Sequence, residues 1–468
     1  MNKSDWLTRR DDRTLKIVGP QGSGYQDCSV AVTVGPELAA TYEGQIMTLL
    51  SVNILSRWCN QVYLNCPDAP LLLPNRSASL NDLLEDLYRQ ANPFGNFTVT
   101  AEVKGTPDYH LFIGGQNKQV DHLNNGIWID GSGWLAGFGS GRSSVSELTY
   151  NKHNPIGPAF AACLGVAEVF RRAIGEAQPD RFSSWYSLFD FEHSEDHSTL
   201  SDASYPDTFD LGRVYEVGCG AIGSSFAYLL SLTNWRSTIH FIDFDPVDYP
   251  NLSSSLLFTA QHAEQQTNKA QICQELLATT AHIPHAFDGD YSQFVEQGQL
   301  TKYPPDLIVC FANDRNVWST IQANYPPLTF HATTTKSWGI NFGRHIPERE
   351  WCIMCRFHKE VEHTYVPVCG QVEVPKPKTP AQETLAILPF LSPASAIIVL
   401  AELAKLDSAS YPVNENFIEY SFKRHRGFFL STNNGPKRCY VCKDQSQAIY
   451  EMISSSSKYN YLMGSPPA

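Results

Sequence analysis

Residues 214–251, VYEVGCGAIGSSFAYLLSLTNWRSTIHFIDFDPVDYPN, restrict the fold of this chain more than any other stretch. A β-branched and aromatic run, VYEV, meets Gly218, Gly220 and Gly223 at GxGxxG spacing, and these open an apolar helix. The next apolar run, IHFIDFD, ends at Asp243, 20 positions after Gly223. Strand, glycine turn, helix and strand in this order make a parallel βαβ unit. At such a turn backbone N–H groups at a helix N-terminus can approach a phosphate closely, and a carboxylate at the next strand end can hold a ribose hydroxyl. A glycine motif by itself also fits a tight turn that binds nothing.

The residues that follow are more specific. Asp243-Phe244-Asp245 is succeeded by Asn251-Leu252 and, in an amphipathic stretch, by Lys269. The ordered set resembles the adenylating domain of the ThiF/MoeB and ubiquitin-activating-enzyme superfamily, over residues 211–445. The resemblance implies that Asp243 binds the ribose of ATP, that Asn251 and Lys269 contact its phosphates, and that the site forms an acyl-adenylate on a C-terminal carboxylate. It also implies Mg²⁺. The family has an Asp-Asn pair after the next strand, where this chain has Asn313-Asp314 inverted. Either Asp314 takes the metal role, or Asn313 is a neutral ligand and the ion leans on Asp245; both suit a hard cation. Ser254 stands where the family has a triphosphate-binding arginine, which puts the efficiency of adenylation in question. Lys269 also fits a lysine on the solvent face of a helix.

Composition narrows the partners. The formal net charge of −13 argues against nucleic acid or an anionic membrane as the main partner. The first residues, MNKSDWLTRRDDR, contain no apolar segment of the kind a secretory leader needs, and TLAILPFLSPASAIIVLAELAKL is interrupted by Pro389 and Pro393. The expectation is a cytoplasmic protein. There its 12 cysteines stay reduced, so clustered ones point to metal or catalysis.

Residues 29–175 repeat the rhythm of the second half without its chemistry. CSVAVTVG answers VYEVGCG, QVYLNC answers IHFIDFD, DYHLFIGG answers DLIVCFAND, and NPIGPAFAACLGVAEVFRRAIG answers LSPASAIIVLAELAKL. Where the glycine turn belongs stands Val34-Gly35-Pro36-Glu37, poor company for a phosphate. The pattern suggests duplication and an internal pseudo-dimer, compatible with a monomer. Any two α/β segments share some of this rhythm. Residues 176–210, acidic and rich in Ser and Asp, read as a linker, with His193 and His197 solvated within it. Near the N-terminus, Arg13 fits the family arginine that reaches across a dimer interface into a nucleotide site. It equally fits a solvated terminal arginine.

Two CxxC pairs, Cys352/Cys355 and Cys439/Cys442, can each offer two thiolates to one tetrahedral Zn²⁺. The 83 residues between them exceed a compact ribbon, but the resemblance implies a structural zinc placed this way. Between the pairs lies a proline-rich stretch with Cys369 beside Gly370, accessible enough to accept a bulky acyl group. In the ubiquitin-activating branch the acceptor cysteine sits in this crossover loop; a plain loop cysteine or a sulfur-transfer relay are the alternatives.

The expected fold is therefore α/β: two related doubly wound, Rossmann-like halves, with residues 1–175 inactive, 176–210 a linker and 211–468 nucleotide-binding. This second half carries a crossover cysteine loop (356–383) and a zinc knuckle. The expected function is ATP-dependent adenylation of a ubiquitin-like protein with an exposed C-terminal tail, then thioester transfer to Cys369 and hand-over to a conjugating enzyme. The family resemblance extends this to compact bacterial versions in antiphage systems. A sulfur-carrier adenylyltransferase and a scaffold with reduced turnover are the rivals.

Overall fold

Runs of β-branched residues alternating with apolar helices build two eight-stranded sheets in the computed structural model. It describes residues 1–441 except 20–23, 75–76, 104, 115–122, 124, 142–147, 177–180, 325, 348, 357–386, 408–414, 425–426, 434–438 and 440. Before the first sheet comes α1 (Lys3–Val18). That sheet contains β1 (Ser29–Val34), β2 (Gln61–Asn65), β3 (Asn96–Val99), β4 (Tyr109–Ile113), β5 (Gly126–Ser132), β6 (Leu135–Ser140), β7 (Phe182–Ser187) and β8 (His193–Ser194), with helices α2 (Pro36–Ala39), α3 (Tyr42–Ser56), α4 (Leu80–Ala91) and α5 (Ile156–Ala173). The second contains β9 (Asp210–Val217), β10 (Arg236–Ile242), β11 (Ile283–Phe287), β12 (Leu307–Cys310), β13 (Thr329–Thr334), β14 (Gly339–His345), β15 (Phe417–Ser421) and β16 (Phe429–Ser431). Its helices are α6 (Ala221–Leu230), α7 (Tyr249–Leu252), α8 (Ala260–Gln265), α9 (Lys269–Leu277), α10 (Tyr291–Glu296), α11 (Gln299–Lys302), α12 (Arg315–Ala323), α13 (Ile353–Arg356) and α14 (Leu391–Ala404).

The strand orders correspond place for place: β3-β2-β1-β4-β5-β6-β7-β8 and β11-β10-β9-β12-β13-β14-β15-β16. In each sheet the first five strands run parallel and the last three antiparallel. Parallel strands are covered on both faces, which is why VAVTV and LIVC read as nearly unbroken apolar runs. α3 and α14 are buried along their whole lengths and carry apolar or small residues on every side. α5 lies on β5 and β6, α14 on β13 and β14, and these two helices pack against each other.

Polar groups also join the halves. The Tyr42 hydroxyl donates to the Leu232 carbonyl at 2.9 Å, and the buried Lys405–Glu402 pair, 2.6 Å apart, sets its ammonium 3.8 Å from the centre of the Phe191 ring. Arg57, at the end of α3, is buried, and among the described residues no carboxylate pairs with it. It donates to Asn53 Oδ1 and to the carbonyls of Leu252, Leu256 and Phe258, which clamps the segment after α7.

Two readings of the sequence change. Residues 182–194, assigned to a linker by their polarity, form β7 and β8 at the edge of the first sheet. Trp185 and Tyr186 there are buried, and the aromatic residues of FSSWYS, paired with β6, outweigh the surrounding Ser and Asp. His197 is buried against Trp185, with ring centroids 4.8 Å apart, so it is not a solvated linker histidine. The polar N-terminus forms a helix started by Asn2, whose side chain accepts from the Asp5 N–H, and ended by Gly19 at φ 67°.

Candidate active site

The C-terminal ends of β9, β10, β12 and β13 open onto one cavity of about 570 Å³. Ligands in open α/β sheets bind at such strand ends. Gly218, Gly220, Asp243, Asp245, Asn251, Lys269, Asn313, Asp314 and Arg13 all line it.

The glycine turn has a steric origin. Gly218 has φ +94°, and a Cβ there would come within 2.6 Å of the Ala312 backbone nitrogen. Gly220 begins α6 with open space beside it, so its backbone faces the cavity. Gly223 does not line the cavity. A Cβ on it would stand 2.2 Å from the Gly218 carbonyl oxygen and 2.6 Å from Glu216 Oε1, so this glycine serves the packing of helix on strand.

At the end of β10, Asp243 accepts from the Cys219 N–H at 2.7 Å and the Asp245 N–H at 2.8 Å, which ties the acidic turn to the glycine turn. Burial raises its carboxyl above the ordinary value, against the pull of Lys269. Lys269, the first residue of α9, donates to Asp245 Oδ2 at 2.9 Å, and its side chain is 9% exposed against 51% for Asp245. Its ammonium is therefore aimed inward rather than into solvent. Asn251 accepts from the Asp248 N–H at 2.9 Å and so closes the cap of α7. Phe244, between the two aspartates, is 62% exposed and faces the cavity.

Arg13 reaches the cavity because α1 packs on α7. Trp6 is buried among Val247, Tyr249, Leu252 and Phe258, and Arg9 pairs with Asp248 at 3.0 Å. Burial lowers the pKa of Arg13, opposed by Asp12, Asp245 and Asp248. The helix that precedes the first sheet in sequence thus packs on the second half. Asp314 caps α12 by accepting from the Asn316 N–H at 2.7 Å, while Asn313 also faces the cavity. Ser254 is fully buried and does not line the cavity. The sequence reading passed over Tyr291, Ser292, Asn316, Thr334 and Lys336, which line it too. The polar run TTTK at the end of β13 was the available signal.

Cys352, Cys355 and Cys439 are buried with their sulfurs within 4.8 Å of one another, and those of Cys352 and Cys439 lie 3.5 Å apart. The Cys355 N–H points to the Cys352 sulfur at 3.4 Å, as N–H groups do toward thiolates in metal knuckles. Three thiols so close suit a tetrahedral zinc. Cys442 lies outside the described residues, as do Cys369 and the rest of the crossover loop apart from Arg356. The chain returns at Ile387, which lines the cavity and whose carbonyl accepts from the Thr14 hydroxyl at 3.4 Å. Among the described residues, no helix is long and apolar enough to cross a membrane.

Residues 208–441 match the ThiF family, and residues 29–183 match the BilD N-terminal domain. No curated relative matches the sequence. Among solved structures, E. coli MccB with AMPCPP and selenomethionine MccA matches at 18% identity over 49% of this chain and 66% of that chain, with a TM-score of 0.36. E. coli MccB with ATP matches at 17% over 49% and 66%, with a TM-score of 0.35. Selenomethionine PaaA matches at 14% over 48% and 64%, also with a TM-score of 0.35.

Proposed function

Because the chain belongs to the ThiF family, we propose that it adenylates the C-terminal carboxylate of a ubiquitin-like protein with ATP and then accepts the acyl group on Cys369. Family membership supports an adenylyltransferase-type enzyme that binds ATP; the modifier, the thioester and a conjugating enzyme as receiver are our reading. The observation that carries it is the convergence of the glycine turn, Asp243, Asp245, Asn251, Lys269 and Arg13 on one cavity. The turn offers backbone donors to phosphate, Asp243 suits a ribose hydroxyl, and Lys269 and Arg13 bring positive charge to the leaving pyrophosphate. Asp245 with Asn313 or Asp314 would hold Mg²⁺, which neutralises phosphate charge when bound. Arg13, like the phosphate ligands, acts by positioning and charge.

The first step joins a carboxylate oxygen to the α-phosphorus and releases pyrophosphate. In the second a thiolate attacks the acyl carbon of this mixed anhydride and releases AMP. Ile387, the first described residue after 357–386, lines the cavity, and this supports our reading of Cys369 as the acceptor. We assign residues 1–175 to the inactive half and 211–468 to the active one, with Cys352, Cys355, Cys439 and Cys442 as zinc ligands. An antiphage setting with a peptidase and a conjugating enzyme fits the compact bacterial versions that the sequence resembles.

ATP–pyrophosphate exchange should appear only with the cognate modifier. A thiol-sensitive heavier band should form on non-reducing gels and vanish in Cys369→Ala while exchange persists. A band that survives in the variant moves the acceptor elsewhere; robust exchange without any band favours a sulfur-carrier adenylyltransferase; no exchange with the right partner favours a scaffold.

A further inference from the structure

A second buried cluster, which the adenylation chemistry does not use, lies beneath the glycine turn. Glu216 on β9, Cys219 in the turn and Cys273 on α9 bring one carboxylate oxygen and two sulfurs within 4.8 Å of one another. All three residues are 0% exposed. Among the described residues, neither Glu216 oxygen receives an N–H or O–H hydrogen bond, and the partner that reaches it is the Cys219 thiol, a weak donor. A carboxyl group taken wholly out of water without a good donor is strongly disfavoured in its charged form, so such groups are paired, neutral or bound to a cation.

We infer that Glu216, Cys219 and Cys273 form a metal site for a borderline-soft divalent cation, with zinc the ion that fits. Two thiolates and a carboxylate are a zinc donor set, and bonds of about 2.0–2.3 Å put ligand atoms roughly 3.3–3.8 Å apart on a tetrahedron, within reach of the observed spacing. The arrangement parallels the cysteine knuckle. Glu216 and Cys219 are separated by two residues at a turn, as Cys352 and Cys355 are, and a third ligand comes from a distant element. Gly223 keeps room for the carboxylate, since a Cβ there would stand 2.6 Å from Oε1. Asp243 holds the Cys219 backbone at 2.7 Å, the kind of outer hydrogen bond that orients a ligand. Three protein ligands leave the fourth position to a water. An ion here would tie the glycine turn to α9 and so fix Gly218 and Gly220 relative to Lys269, one turn from Cys273 on the same helix.

The test is zinc content per folded full-length chain after removal of metal and reloading with Zn²⁺ alone. Glu216→Gln and Cys273→Ala should each lose one zinc relative to the unmodified protein, and Cys352→Ser should lose a different one. In the Cys352→Ser background, Co²⁺ should still give thiolate charge-transfer absorption, and adding Cys273→Ala should abolish it. Cys273→Ala removes only one sulfur, so it decides the matter if Glu216→Gln does not fold. Unchanged zinc in folded Cys273→Ala overturns the proposal and leaves a neutral cluster that shares protons. Metal loading is read without nucleotide or modifier, so this result is independent of the adenylation reading.

Discussion

At the same place in the sheet order, each half sends a parallel strand into a helix, yet the two turns offer a ligand different things. After β9 the chain passes through Gly218-Cys219-Gly220 straight into α6, and its backbone faces a cavity. After β1 it meets Gly35 and then Pro36, the first residue of a four-residue helix, whose ring nitrogen carries no hydrogen. Thr41 then starts α3 with a fresh cap, its side chain accepting from the Gly44 N–H. The next strand ends differ as well: Asp243-Phe244-Asp245 after β10, against Cys66-Pro67-Asp68 after β2. A shared topology thus carries different strand-end chemistry in its two copies, and a handful of residues at strand ends decide what can bind. The first half serves the second instead: Arg57 clamps the segment after α7, and Asn53 donates to the Leu256 carbonyl at 3.0 Å.

The sharpest way to break this comparison is to disable the turn in each half. Lys269→Ala or Asp243→Ala should reduce modifier-dependent ATP–pyrophosphate exchange roughly 10²–10³-fold, the usual loss of a charge-stabilising contact. Pro36→Ala at the matching place should change it less than about twofold. Equal losses in both halves would mean that the first half also binds nucleotide.

Next comes the clamp. Arg57→Ala leaves the buried carbonyls of Leu252, Leu256 and Phe258 without their donor, and thermal melts should show a loss of about 3 kcal/mol. Exchange should fall along with stability if the first half supports the site through this residue. A variant as stable as the parent would show that the carbonyls find other partners.

The smallest expected effect is in acid. Burial lowers His240 and His282, both in the second half, to about 4. An unfolded histidine titrates near about 6.5, so between these values the unfolded chain binds more protons. The stability they contribute is present above that range and is lost as pH falls toward 4. Hydrogen exchange should therefore show the β9–β12 strands loosening before β1–β5 as the pH is lowered from 7 to 4.5. His282→Gln, which keeps a partner for Ser237, should remove part of the slope, on the order of 1 kcal/mol. Simultaneous loosening of both sheets would locate the acid sensitivity elsewhere.

What the sequence determined by itself was local. β-Branched and aromatic runs and glycine spacing specified the strands around the cavity and the repeat between the halves, because these patterns follow from backbone geometry over a few residues. Gly218, Gly220, Asp243, Asp245, Asn251 and Lys269 all stand on or just after one βαβ unit and line the cavity, and the roles proposed for them rest on the order in which they follow one another, which resembles a family pattern. Only tertiary packing decided the rest. β7 and β8 were hidden in an acidic stretch because their burial depends on β6, which supplies the hydrogen bonds. That α1 delivers Arg13 to the far half depends on Trp6 finding Tyr249 and Leu252, more than 200 residues away. Ser254 could be placed against a family pattern, but its burial away from the cavity follows from the Arg57 clamp, a contact between residues that no local pattern links.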